Sequence, residues 1–173
     1  MPFEIVLNSK ERKMINIQEN YEKIYNKYFE KLFRTVLIYC KNKGDAEDVI
    51  QNTFLKLYIS KKVFVDEVHV KNWMFKTAIN DATNVLKSKW NNYVPFEESM
   101  IKGIDFENED DSKVVSKILK LPKKYRIVLL LYYYDGYSTA EISQILSLNI
   151  STVQTRLARA RAKLKKSLEV SNE

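Results

Sequence analysis

The sequence predicts an all-α chain of two small helical domains joined by an acidic linker, and three observations carry that expectation. Only three Gly and three Pro occur in 173 residues, too few turn-formers for a sandwich, a barrel or a glycine-rich nucleotide-binding fold. Apolar residues recur at three- and four-residue steps, the spacing of helices that bury one face. Charge alternates in blocks. Residues 1–94 hold sixteen basic and eleven acidic side chains, residues 95–111 one basic and seven acidic, and residues 113–166 twelve basic and two acidic. The reversal contains Pro95 and Gly103 and no sustained periodicity, so 95–111 reads as a linker between a domain at 18–94 and another at 112–173. A solvated loop whose acidity serves only solubility fits the same stretch. No pattern assigns structure to the arm at residues 1–17.

In the first domain, Tyr21, Ile24, Tyr25, Tyr28, Phe29, Leu32, Phe33, Val36, Leu37 and Cys40 trace one broad apolar face of a long helix that Gly44 is expected to end. Asp45 is then expected to cap a second helix, with Asp48 near its positive end and Val49, Ile50, Phe54, Leu57 and Tyr58 facing inward as far as about Lys61. A third helix, from about Val70 to Lys89, turns Trp73, Ala78 and Val85 or Leu86 inward and Lys76, Asn80, Asn84 and Lys87 outward.

In the second domain, Ser112 can cap a short helix carrying Val114, Val115, Ile118 and Leu119, and Pro122 suits the first turn of another that runs to about Tyr134. Asp135-Gly136 breaks that helix. Ser138 and Glu141 have the spacing of a capping box for the next, whose Ile142 and Ile145 face inward. After a turn at 147–149, a last helix over 150–167 buries Val153, Leu157, Ala160 and Leu164. Helix, tight turn and basic helix make a helix-turn-helix.

Several functions are disfavoured by composition. One cysteine, Cys40, forms no internal disulfide, and one histidine, His69, leaves too few ligands for a zinc site, so neither a metal nor a cofactor is expected. No plausible nucleophile–base pair appears, so the chain does not read as an enzyme. Met1 to Leu7 carries Glu4 and lacks the form of a secretory leader, and the apolar run 127–134 is too short to span a bilayer. A cytoplasmic protein without membrane insertion is expected.

Three residue groups remain as candidate sites. The last helix carries Ser151, Gln154, Thr155, Arg156 and Arg159 and has no acid between Ile150 and Leu168, which suits a helix lying in a major groove. Lys71, Lys76, Asn80, Asn84 and Lys87, with Phe64, Trp73 and Phe75 nearby, combine cations, amides and aromatics as single-stranded DNA requires, although Trp73 and Phe75 serve equally as core. The carboxylates Asp45, Glu47 and Asp48 lie on a helix that splays them apart and lack a histidine. They read either as partners of the helix dipole or as an acidic docking surface for another protein.

Three segments together resemble the bacterial RNA polymerase sigma factors of the extracytoplasmic-function (ECF) type. Gly44 to Tyr58 is similar to the family's polymerase-docking helix in region two, and Trp73 to Ala82 resembles its minus-ten segment. Leu121 to Arg126, Ser138 to Ile142 and Ser151 to Arg161 resemble region four. The resemblance implies a promoter-specific initiation factor that docks on the clamp and flap of core RNA polymerase, helps melt the start region and is held by an anti-sigma factor. It implies that Asp45, Glu47, Asp48, Gln51 and Phe54 meet the polymerase. Lys76, Asn80, Asn84 and Lys87, with the loop around Phe64, would hold unpaired minus-ten bases, while Gln154, Thr155, Arg156 and Arg159 would enter the minus-thirty-five duplex. Where the family commonly has Gly in the helix-turn-helix turn this chain has Ser147, and Gln154 stands where Lys or Arg is common. Taken alone, the C-terminal segments also fit a stand-alone helix-turn-helix regulator.

Overall fold

The computed structural model describes residues 14–88 and 109–169, with Glu109–Ser112 as backbone only. Most of the acidic linker lies outside the described residues. The chain runs α1 (Ile17–Cys40), α2 (Lys43–Tyr58), α3 (Glu67–Ser88), α4 (Glu109–Lys120), α5 (Lys123–Leu129), α6 (Thr139–Leu146) and α7 (Ile150–Glu169). The order and the all-α class match the expectation, and the two helical domains are present.

The three-helix body of the first domain is closed by the apolar face of α1, where Ile24, Tyr28, Leu32 and Val36 are buried against Val49, Ile50 and Leu57 of α2 and Met74, Phe75 and Ile79 of α3. Each such side chain contributes about 1.5–3 kcal/mol on leaving water. Short polar bonds fix how the helices start. Asn16 caps α1 by accepting from the Glu19 N–H, and Asp66 caps α3 by accepting from the His69 N–H at 2.7 Å.

Three local expectations were misplaced. Gly44 does not end the first helix, which stops three residues earlier because Lys41 adopts a left-handed conformation (φ 58°) and donates its N–H back to the Leu37 carbonyl. Asn42, not Asp45, caps α2, its side chain accepting from the Asp45 N–H at 2.9 Å. Asp45 is thus displaced into the first turn, where its charge still favours the positive helix end. Gly44 lies within α2, so its role as a breaker disappears. Likewise α4 begins at Glu109, so Ser112 lies inside that helix and the expected linker overlaps it.

In the second domain, α5 is buried almost throughout, with Tyr125, Ile127, Val128 and Leu129 enclosed between α4 and α7. The predicted continuation to Tyr134 is real but changes pitch: Leu130–Tyr134 form a π-helical turn, and the Asp135 N–H reaches back to the Leu130 carbonyl at 3.1 Å. Gly136, at φ +73°, then lets the chain reverse. Ser138 and Glu141 form the predicted capping box. Ser147 takes the left-handed conformation (φ 52°) that the helix-turn-helix turn needs, and α7 buries Val153, Leu157 and Ala160 on α5 and α6.

The two domains pack on each other. Thr35 of α1 donates to the buried Asp135 carboxylate at 2.9 Å, Arg126 of α5 donates to the Tyr39 carbonyl at 3.1 Å, and the rings of Phe75 and Tyr137 meet edge to face at 5.2 Å.

Candidate nucleic-acid and protein interfaces

Because α2 buries Ala46, Val49, Ile50 and Thr53, its opposite face turns Glu47, Asp48 and Gln51 into solvent. Asp45 is half-buried at the helix start, and Phe54 is buried. Phe54 closes the floor of an open groove of about 380 Å³ lined by Tyr21, Tyr25, Phe29, Gln51, Leu55 and Tyr58. The groove walls are rings in contact: Tyr25 stacks on Phe29 with centroids 4.9 Å apart, and Tyr21 meets Tyr58 edge-on at 5.1 Å. Leu55 (56% exposed) and Tyr58 (48%) leave apolar surface uncovered beside the carboxylates. Gln51 belongs to the groove and follows Asp48 by three residues, so the acidic face and the aromatic groove form one continuous surface.

The sequence reading missed this groove, having assigned Tyr21, Tyr25, Phe29 and Tyr58 to the buried face. A signal was present: Tyr21, Tyr25 and Phe29 repeat at four-residue steps, Tyr58 of α2 adds a fourth ring, and Tyr hydroxyls favour the edge of a core.

On α3, Lys76, Asn80, Asn84 and Lys87 are all exposed and follow one another at intervals of four, four and three residues, which places them on one stripe. Trp73 and Asn72 continue the stripe toward the helix start and are half-buried. The opposite side holds the helix on the core through Val70, Met74, Ala78 and Ile79. Phe75, offered in the sequence as either core or base contact, is fully buried.

Phe64 requires correction. Its side chain is 0% exposed, sits edge-on to His69 and Trp73 at 5.1 and 5.8 Å, and its carbonyl pairs with the Ile15 N–H, so no base can reach the ring. An aromatic side chain is better satisfied by burial than by a loop surface, and here it supports Trp73 from behind. Lys71 is also engaged: its ammonium lies 4.3 Å from the centre of the Tyr137 ring and 3.5 Å from the Asp135 carbonyl, and burial shifts its pKa downward.

Along α7, Ser151, Gln154, Thr155 and Arg159 are exposed on the side opposite Val153, Leu157 and Ala160, while Arg156 is half-buried. Further along, Arg161 donates to the Tyr133 hydroxyl at 2.7 Å and lies over Tyr132, which ties the helix to the π turn. The described residues of α7 place one acid, Glu169, in the last turn, where it pairs with Lys165 at 3.9 Å. Among the described residues no group of His, Cys, Asp or Glu could hold a metal ion, and no helix is long and apolar enough to cross a membrane.

Comparison with known proteins identifies two regions of the chain. The sequence profile of Sigma-70 region 2 matches residues 24–92, and that of Sigma-70, region 4 matches residues 112–164. The ECF RNA polymerase sigma factor SigW of Bacillus subtilis is 30% identical over 87% of this chain and 90% of its own length. The chain belongs to the ECF sigma factors. Such a protein directs transcription initiation, which removes the stand-alone regulator as an account of the whole chain. The ECF factor SigM of Bacillus subtilis is similarly 30% identical, over 83% of this chain and 92% of its length. Two solved structures share the fold: CnrH in complex with the cytosolic domain of CnrY (TM-score 0.63, 21% identity) and the sigma factor RpoE with the anti-sigma factor NepR from Bartonella quintana (TM-score 0.65, 18% identity). They cover 88% of this chain each, and 90% and 98% of their own.

Proposed function

We propose that this ECF sigma factor divides its task among three surfaces. Glu47, Asp48 and Gln51, with the aromatic groove of α1 and α2 behind them, receive the clamp of core RNA polymerase: acidic residues orient a basic partner and the groove offers apolar area to bury. The exposed stripe Lys76, Asn80, Asn84 and Lys87 holds the unpaired minus-ten strand, its amides facing base edges and its lysines the backbone. Ser151, Gln154, Thr155 and Arg159 enter the minus-thirty-five major groove, joined by Arg156. The domains divide near 18–94 and 112–173, with α4 taking up the last residues of the linker. The flap of the polymerase meets the C-terminal domain.

The observation that carries this reading is that α3 and α7 offer two separate cation-and-amide faces in one chain while α2 offers an acidic one. The protein acts in the cytoplasm, without enzymatic chemistry, metal or cofactor. An anti-sigma factor holds it, as NepR holds RpoE in the similar complex. Transcription from a promoter library by core polymerase should yield start sites that depend on this protein. Asp48→Arg should weaken its association with core polymerase by about tenfold or more at an exposed site that leaves folding intact. Start sites unchanged by omitting the protein would refute the reading.

A further inference from the structure

Helix α7 carries its chemistry unevenly around its axis. With Val153, Leu157 and Ala160 buried, the line pointing straight away from the body is Ser151, Thr155, Ala158 and Ala162. These four follow one another at steps of four, three and four residues, all are exposed, and none ends in anything larger than a hydroxyl or a methyl group. Longer side chains flank that ridge, Gln154 and Lys165 on one side and Arg159 and Lys166 on the other, all exposed. A ridge of short side chains between long polar flanks lets a helix backbone approach the floor of a major groove while the flanks reach bases and phosphates.

Cations are missing where base edges come closest. In a helix-turn-helix the first turns of the second helix meet the bases. Over residues 150–158 the sole cation is Arg156, which is half-buried and lies toward Tyr39 of α1, away from the ridge. The longest exposed side chain in that span is Gln154, and its amide makes no hydrogen bond among the described residues. Farther along, Arg161 and Lys163 are turned onto the rings of Tyr132 and Tyr125. A guanine edge offers two acceptors, which suit the donors of Arg or Lys. An adenine edge offers one acceptor and one donor, which a Gln amide matches with its own N–H and carbonyl.

We propose that Gln154 selects an adenine in the minus-thirty-five duplex, and that the short ridge of α7 brings it within reach by seating the helix deep in the groove. The assignment rests on the reading of α7 as the helix that enters that duplex, and adds to it the base that is read. The Gln154 amide donates to adenine N7 and accepts from the N6 amino group, while Thr155 offers its methyl to a thymine methyl at a neighbouring pair. Arg159 and Lys166 hold phosphates and carry no base preference.

The test uses core RNA polymerase with the full chain on a promoter library whose upstream duplex element is randomised, with transcripts sequenced against their templates. The wild type should favour adenine at one position by about tenfold. Gln154→Ala should level the preference at that position alone, and Gln154→Arg should move it to guanine. Ala158→Leu adds bulk to the ridge and should lower transcription from every sequence several-fold while the favoured base stays the same. Arg159→Glu should lower all sequences together. The assignment is overturned if no position responds to Gln154→Ala, if the responding position favours guanine in the wild type, or if Gln154→Arg leaves the favoured base unchanged. A drop with Arg159→Glu in that same experiment shows that α7 is on the duplex and that only the assignment has failed. If Arg159→Glu leaves transcription unaltered, the placement of α7 in the duplex falls, and the assignment with it. Undiminished transcription with Ala158→Leu overturns the deep seating. Circular dichroism of each variant separates lost readout from lost folding, and a gain of guanine preference by Gln154→Arg is a result that misfolding does not imitate.

Discussion

Helices α3 and α7 present similar inventories, cations and amides on one side and a buried apolar stripe on the other, yet they sit in different surroundings. The α3 stripe begins beside Trp73 and is flanked by α6, so half of it is walled and half open. The α7 face carries Gln154, Thr155 and Arg159 in open solvent, with no aromatic among them. A walled stripe with a ring at its edge suits bases that have left the stack, while an open, aromatic-free basic helix suits an intact groove. Residue inventory alone does not separate the two proposed roles; the surroundings of the two helices differ.

The comparison is broken most severely by unseating α7. It is held by Val153, Leu157 and Ala160, fewer anchors than the six buried residues of α3, so Leu157→Ala should destabilise the C-terminal domain by about 2–5 kcal/mol, read by denaturant unfolding. Next in size, Arg159→Glu should cost about 1–3 kcal/mol of duplex affinity and flatten its salt dependence without changing single-strand binding. Equal losses on both ligands would mean that the two helices do not divide the work. Asn80→Ala should do the converse at about 1 kcal/mol, weakening single-strand binding by several-fold while duplex affinity holds. Loss of the Ser138 cap by Ser138→Ala should take about 1 kcal/mol from α6 stability, visible as a lowered Tm.

The seam adds a pH dependence of known sign. Burial pushes the Asp135 carboxyl up to about 7, against the opposing pull of the Thr35 hydroxyl, Lys31, Lys71 and Arg34; Tyr137 and Glu141 stand on the side of α6. In the unfolded chain the group returns toward its ordinary value near 4. The folded state therefore binds the extra proton, and the stability this group contributes is fully present below about pH 4 and declines as pH rises to about 7, above which Asp135 contributes no further change. The midpoint of denaturant unfolding should fall between pH 6 and pH 8, and Asp135→Asn should remove this group's share of that fall.

Much of this was legible from spacing. The apolar stripes placed the seven α-helices of the described residues, and Ser138 with Glu141 located the start of α6, because capping and periodicity act within a few residues. The exposed positions of Asp48, Lys76, Asn80, Asn84, Gln154 and Arg159 were legible for the same reason: a helix puts them opposite its buried stripe. Phe64 was misread because an aromatic in a short loop looks available until the chain folds His69 and Trp73 around it. Gly44 looked like a helix end because a left-handed Lys41 is not a residue that sequence preference would choose for that place.

Sequence alone determined the helices, their amphipathic sides and the block pattern of charge, since each depends on residues within a turn or two of one another. Tertiary packing decided which apolar residues stay outside, leaving Tyr25, Leu55 and Tyr58 to line a groove. It also decided that Asp135 and Arg126 are buried across the domain seam. Those outcomes depend on surfaces brought together from residues about a hundred positions apart, such as Thr35 and Asp135, and no local pattern encodes the desolvation that such a meeting imposes.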